Sequence, residues 1–107
     1  MDRHCLIMKW DYDYDKEGTW FDHDNGEQRY ALTPNTVFSL PHMDRKRLEI
    51  VSVHTQGERT GVELRVDGYH RTVYSDEEPV SVHVSYDYMA SGDSVSTSLH
   101  LLFSVGS

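Results

Sequence analysis

Residues 6–32 decide the predicted fold, with the sequence LIMKWDYDYDKEGTWFDHDNGEQRYAL. From Leu6 to Asp15 the side chains alternate in character every second residue, which is the period of a β-strand. One face of this strand is apolar and aromatic: Leu6, Met8, Trp10, Tyr12 and Tyr14. The other face is mostly charged: Ile7, Lys9, Asp11, Asp13 and Asp15. The alternation predicts a strand that buries its aromatic face and leaves its aspartates in solvent.

Two turn signals divide this stretch into a predicted meander of three antiparallel strands. Glu17-Gly18 offers a two-residue turn, and Asn25-Gly26 is the stronger signal, because both central residues of a type I′ turn need a positive φ. The first turn gives these cross-strand pairs: Tyr14–Phe21, Tyr12–His23, Asp13–Asp22 and Asp11–Asp24. The second turn gives these: Phe21–Tyr30, Asp22–Arg29 and Trp20–Ala31.

The predicted registers gather five aspartates on one exposed face: Asp11, Asp13, Asp15, Asp22 and Asp24. Glu27 lies at the edge of this face, with Arg29 as the nearby cation. Like charges directly opposite each other destabilise a β-ladder by roughly 0.2–1 kcal/mol per pair, so folding alone does not favour such a surface. The face is either a solvated surface that keeps an edge strand from pairing or a docking site for a positively charged partner. Trp20 is predicted on the same face, where an indole among carboxylates suits a protein interface.

Length and charge limit the classes of function. The 107 residues suffice for one domain with one core, which we place at residues 1–107. The net charge of −8, from 18 acidic and 10 basic residues, argues against nucleic acid or an anionic membrane as the partner and favours a basic protein or a cation. No apolar run approaches the roughly 18 residues of a membrane span.

Targeting signals and cysteine usage favour a cytoplasmic location. The first ten residues, MDRHCLIMKW, lack the apolar segment and cleavage site of a signal peptide. Cys5 is the single cysteine, which excludes an internal disulfide and is typical of a reducing compartment.

The rest of the chain predicts more short antiparallel strands and no helix. They cover residues 36–40, 48–56, 62–67, 69–74, 80–90 and 95–105, while residues 42–47 are predicted to form a polar connection. Turns centred on Glu58-Arg59 and Gly92-Asp93 would place Val53 opposite Leu64 and Val84 opposite Leu101. Seven or eight strands at this spacing predict an all-β, meander-rich antiparallel β-sandwich, with a small closed β-barrel as the alternative.

Metal binding has limited support. The spacing of Asp11, Asp13, Asp15 and Asp22 matches positions 1, 3, 5 and 12 of a calcium-binding loop, but Lys16 replaces the glycine required at position 6. A non-standard Ca²⁺ site built from the same aspartates stays open as an alternative, and no cofactor is assigned. The seven histidines show no zinc-binding spacing, and His83 and His100 are expected only as diagonal neighbours on an outer face.

Catalytic motifs are absent from the sequence, which has no GxSxG and no glycine-rich phosphate loop. We therefore expect a non-enzymatic module that docks on a basic protein surface, as an inhibitor, an immunity-type protein or a mimic of nucleic-acid charge. The expected contact residues are Asp11, Asp13, Asp15, Trp20, Asp22, Asp24 and Glu27. The alternatives are a calcium-stabilised β-domain, a small-ligand-binding β-barrel and a homodimer formed through an edge strand.

Overall fold

The computed structural model describes residues 4–106, and its regular elements in this range are all strands. There are eight of them: β1 (Cys5–Lys16), β2 (Trp20–Ala31), β3 (Thr36–Leu40), β4 (Met43–Gln56), β5 (Arg59–Val66), β6 (Tyr69–Tyr74), β7 (Val80–Ala90) and β8 (Asp93–Gly106). The predicted all-β class is thereby confirmed. Over residues 4–106 no helix has the length and apolar character needed to cross a membrane.

The strands form two antiparallel sheets of four strands each. Sheet A has the order β2-β1-β8-β7, and sheet B has the order β3-β4-β5-β6. This arrangement confirms the predicted sandwich. The alternative of a closed barrel is wrong for the described residues, because β2, β7, β3 and β6 each end a sheet as an edge strand. Without a closed barrel, the alternative of a ligand cavity inside one loses its scaffold.

The core lies between the two sheets. Sheet A contributes these fully buried side chains: Leu6, Met8, Leu99, Leu101 and Phe103. Sheet B contributes these: Leu48, Ile50, Val62, Leu64 and Val66. Each buried aliphatic or aromatic side chain of this size contributes about 1.5–3 kcal/mol by leaving water. Strand alternation therefore determines which face of each central strand packs inward.

The β7–β8 hairpin differs from its predicted register by two residues. Ser91 and Gly92 form the turn, both with positive φ, and Val84 pairs with Leu99 instead of Leu101. A shift of two keeps every side chain on its predicted face. It also places His83 directly opposite His100, where their rings stack with centroids 4.3 Å apart.

The β4–β5 hairpin also shifts by two residues, so Val53 pairs with Val62. A bulge between Ile50 and Ser52 then changes the face of the strand. Leu48 and Ile50 are fully buried as a result, while Val51, predicted to face the core, is only partly buried.

Strand β4 starts earlier than the sequence predicted. Residues 43–47, predicted as a polar connection, belong to the strand, in which Met43 pairs with Leu40 and Arg47 pairs with Ser39 across an irregularity in the register. The connection shrinks to Pro41 and His42, and His42 takes a positive φ of 59°. This short turn places the His42 side chain against sheet A.

Candidate functional site

The turn between β1 and β2 has the predicted centre but one extra residue. Glu17 and Gly18 both have positive φ, and the Thr19 amide donates to the Lys16 carbonyl oxygen at 2.8 Å. Lys16 nevertheless pairs with Trp20, so Thr19 remains outside the ladder. The predicted register of this hairpin is therefore wrong by one residue. A shift of one residue moves every β2 side chain to the opposite face.

The predicted second turn at Asn25-Gly26 is also wrong, because β2 continues through it and pairs with β1 along its whole length. Gly26 lies directly opposite Trp10, whose indole covers it. A Cβ on Gly26 would lie 2.7 Å from Trp10 Cζ2, which is too close for a real contact. Glycine is needed at this position because the Trp10 ring leaves no room for a Cβ, and not because the backbone takes a positive φ.

The new register divides the five aspartates between the two faces of sheet A. Asp11, Asp13 and Asp15 stay on the outer face, which they share with Phe21 and His23. Asp22 and Asp24 lie on the inner face, together with Trp20. The single five-aspartate face predicted from sequence is therefore wrong. The acidic residues instead lie on both faces of the β1–β2 hairpin at residues 11–24, which we call the acidic hairpin.

His23 bridges two of the outer aspartates. Its Nδ1 lies 2.8 Å from Asp13 Oδ1, and its Nε2 lies 3.1 Å from Asp11 Oδ1. The hydrogen bond with Asp13 raises the pKa of His23, and the negative charge of Asp11 adds to this effect. The predicted register places His23 on the aromatic face, where burial would lower its pKa.

Asp24 is held from sheet B by a residue that the sequence analysis did not single out. His42 Nε2 lies 2.7 Å from Asp24 Oδ2, and the His42 ring stacks on Tyr12 with centroids 4.3 Å apart. The hydrogen bond from His42 lowers the pKa of Asp24. The sequence signal was Pro41 followed by a residue able to take a positive φ, but the partner strand is far away in sequence.

The negative charges of these aspartates are not balanced by lysine or arginine side chains within residues 4–106. Over residues 4–106 the five aspartates of the acidic hairpin have no ion pair with either residue type, and the basic side chains that contact them are those of His23 and His42. Lys16, the one basic residue of the hairpin besides histidine, pairs with Asp93 at 3.5 Å. Glu27, just beyond the hairpin, pairs with Arg29 at 3.1 Å. The acidic hairpin therefore carries a net negative charge.

Two large aromatic side chains are exposed at the start of β2. Trp20 is 61% exposed on the inner face, and Phe21 is 68% exposed on the outer face. Both side chains remain in solvent because β2 is an edge strand and they lie at the end of the acidic hairpin. Phe21 lies in a shallow depression whose other lining residues include Asp15 and Asp22.

Sheet A extends beyond sheet B at this end of the molecule. His42 and Asp67 lie in the two turns that end sheet B, and His42 covers Tyr12. Strand β1 continues for four more residues, to Lys16, and remains paired on both sides. We call the inner face of this extension the overhang. It carries the side chains of Tyr14, Lys16, Trp20, Asp22, Tyr86 and Tyr88.

Within residues 4–106 no three side chains among His, Cys, Asp and Glu are arranged to hold a metal ion. The register explains this for the predicted Ca²⁺ ligands, because Asp11 and Asp13 point away from Asp22 and Asp24.

Comparison with known protein families, with curated proteins and with solved structures finds no significant match.

Proposed function

We infer that this protein is a non-enzymatic binding module whose acidic hairpin docks on a basic protein surface. The observation that carries this proposal is the pair of neighbouring exposed aromatics, Trp20 and Phe21, among carboxylates that have no lysine or arginine partner within residues 4–106. Buried aromatic anchors surrounded by a polar rim supply most of the binding energy of typical protein interfaces. An inhibitor, an immunity-type protein or a nucleic-acid mimic would use such a surface.

Charge supports the choice of a basic partner. The acidic hairpin carries six carboxylates, including that of Glu17, against one lysine. Such a concentration of one sign of charge attracts an oppositely charged surface over about one Debye length, near 10 Å at 0.1 M salt. Electrostatic attraction of this kind raises the association rate most strongly at low ionic strength.

The position of β2 supports the choice of a protein partner. As an edge strand, β2 has one row of backbone N–H and C=O groups unpaired by any strand of sheet A. A protein partner can hydrogen-bond to this edge. Trp20 and Phe21 are consecutive and point to opposite faces of the sheet, so a partner bound along the edge can contact both of them. A small ligand would reach only one of the two aromatics.

The test compares two variants that change the same chemistry at different places. The hairpin variant carries Asp15→Asn, Trp20→Ser, Phe21→Ser and Asp22→Asn. The control variant removes two exposed carboxylates and two exposed apolar side chains elsewhere: Val37→Ser, Glu58→Gln, Tyr69→Ser and Glu78→Gln. Proteins retained by the wild type from a lysate of the native host are identified and purified, and the Kd of each is then measured by calorimetry at several salt concentrations.

We expect a basic protein whose Kd rises at least about thirtyfold with the hairpin variant, since truncating one central aromatic commonly costs 2 kcal/mol or more. The control variant should bind like the wild type, and affinity should fall as salt increases. An equal Kd for the two variants, or a purified partner whose Kd does not change with salt concentration, would contradict the proposal.

A further inference from the structure

A groove at the base of the overhang brings together residues from both sheets. It has a volume of about 510 Å³ and is lined by these side chains: Met43, Arg45, Lys46, Asp67, Tyr86 and Tyr88. Small-molecule sites typically occupy about 300–1,000 Å³, and they combine apolar walls with a few polar groups. The groove has the size and the mixture of side chains of such a site.

The apolar part of the groove is aromatic. Tyr86 and Tyr88 project from the same face of β7, and their ring centroids lie 5.6 Å apart at an interplanar angle of 26°. Each is 39% exposed, although Met43 beside them is buried. A ring face attracts the positively polarised edge of another ring, or the C–H groups of a sugar, because of its quadrupole.

The charged part of the groove is positive, in a protein whose net charge is −8. Lys46 pairs with Asp67 at 3.3 Å and lies 5.8 Å from the centroid of the Tyr86 ring. Arg45 is exposed, and it has no ion pair or hydrogen bond within residues 4–106. A guanidinium presents paired N–H donors that match a carboxylate or a sulfate group. Lys46 is thus held in place at the groove, while Arg45 is free to bind an anion.

We propose that this groove binds a small ligand made of a six-membered ring that carries a carboxylate or sulfate group. The ring contacts Tyr86 and Tyr88, and the anionic group accepts hydrogen bonds from Arg45. Aromatic carboxylates and acidic sugars share this chemistry. The proposal is independent of the proposed function, because it concerns a basic groove and not the acidic hairpin.

The test uses four probes that vary ring type and charge separately. The anionic probes are 2-naphthoate and trigalacturonic acid, and the neutral ones are 2-naphthol and galactotriose. Each is titrated into the ¹⁵N-labelled full chain, and shifts of the backbone amide signals report both the affinity and the site. We expect at least one anionic probe to shift the amides of Arg45, Tyr86 and Tyr88, and its neutral counterpart to bind more weakly. The anionic probe that binds more tightly identifies the ring type.

Two arginine variants test the assigned cation. Arg45→Gln should weaken binding of the anionic probe by a factor of about three to five, the range of an exposed ion pair. Arg71→Gln removes an exposed arginine from β6, outside this groove, and should leave the affinity unchanged. Tyr88→Leu keeps an apolar strand residue but should weaken binding of both the anionic probe and its neutral counterpart.

Any one of four results would overturn the proposal. The first is the absence of amide shifts at the groove with every probe. The second is equal affinity for an anionic probe and its neutral counterpart, and the third is equal loss of affinity with Arg45→Gln and Arg71→Gln. The fourth is a dimer, seen by light scattering, that Tyr88→Leu dissociates, because the groove would then be covered by a second copy of the chain.

Discussion

The contact between Gly26 and Trp10 yields a quantitative prediction for Gly26→Ala. The new Cβ would meet Trp10 Cζ2 at 2.7 Å and Cε2 at 2.9 Å, so the indole must move. Trp10 packs against the core and makes an edge contact with His42, with ring centroids 5.4 Å apart. Moving it therefore disturbs the packing that joins sheet A to the β3–β4 turn.

The magnitude follows from two opposing effects. Overpacking of this kind costs about 1–3 kcal/mol. Replacing glycine by alanine offsets about 0.4–1 kcal/mol of this by restricting the unfolded chain. We expect Gly26→Ala to lower the free energy of unfolding by about 1–2 kcal/mol, which corresponds to a fall in Tm of roughly 5–15 °C for a domain near this size.

A double-mutant cycle separates this explanation from a turn at Asn25-Gly26. Urea unfolding, followed by circular dichroism, is measured for the wild type, Gly26→Ala, Trp10→Leu and the double variant. If the indole causes the cost, Gly26→Ala becomes nearly neutral once Trp10 is leucine, giving a coupling energy of about 1–2 kcal/mol. A cost that is the same with and without the indole would refute the reasoning, since a positive φ at Gly26 would penalise alanine in either background.

Three further predictions concern the acidic hairpin. The pKa of His23, measured by NMR titration of its ring, should exceed the ordinary value near about 6.5 and return toward it in Asp13→Asn. Because this pKa is raised on folding, the stabilisation from His23 should be complete below the unfolded pKa and lost as pH rises through the folded one. Asp13→Asn should weaken this pH dependence of unfolding. Reversing the charge of both Asp13 and Asp22 should not raise the Tm, because they face His23 and Tyr14 instead of each other; a higher Tm would restore the predicted pairing. Calcium and chelator should give the same melting midpoint, and a rise with calcium would revive the Ca²⁺ alternative.

Alternation of apolar and polar residues predicted which side chains face the core more reliably than it predicted the exact strand pairing. A period of two specifies the register of a hairpin only to within an even shift, so the β7–β8 error of two residues left Val84 and the other inward side chains correctly placed. In β4 the sequence contained a further signal, because Ile50 and Val51 are adjacent apolar residues in one strand. A bulge resolves this conflict, and Ile50 takes the buried position.

In the β1–β2 hairpin the hydrophobic pattern could not exclude a register error of one residue. Strand β2 has polar residues on both faces, so neither register would bury a charge in the core. The extra residue, Thr19, depends on turn geometry, and the strong Asn-Gly signal was overridden by the indole of Trp10. The groove at Arg45 was beyond prediction for a different reason, since it requires knowing which end of sheet B lies over β7.

The composition of β2 leads to a last prediction about self-association. Ten of its 12 residues are exposed, and two of these, Trp20 and Phe21, are large aromatics on a free edge. Exposed apolar edge strands promote pairing between copies, and charged neighbours suppress it. We therefore expect Asp15→Asn with Asp22→Asn to increase association between copies at low salt, as measured by light scattering, and Trp20→Ser with Phe21→Ser to abolish the increase. A pair of asparagine substitutions without effect would show that the carboxylates do not protect this edge. Under the proposed function a basic partner would neutralise the carboxylates and cover the aromatics, so the same residues would limit self-association and select the partner.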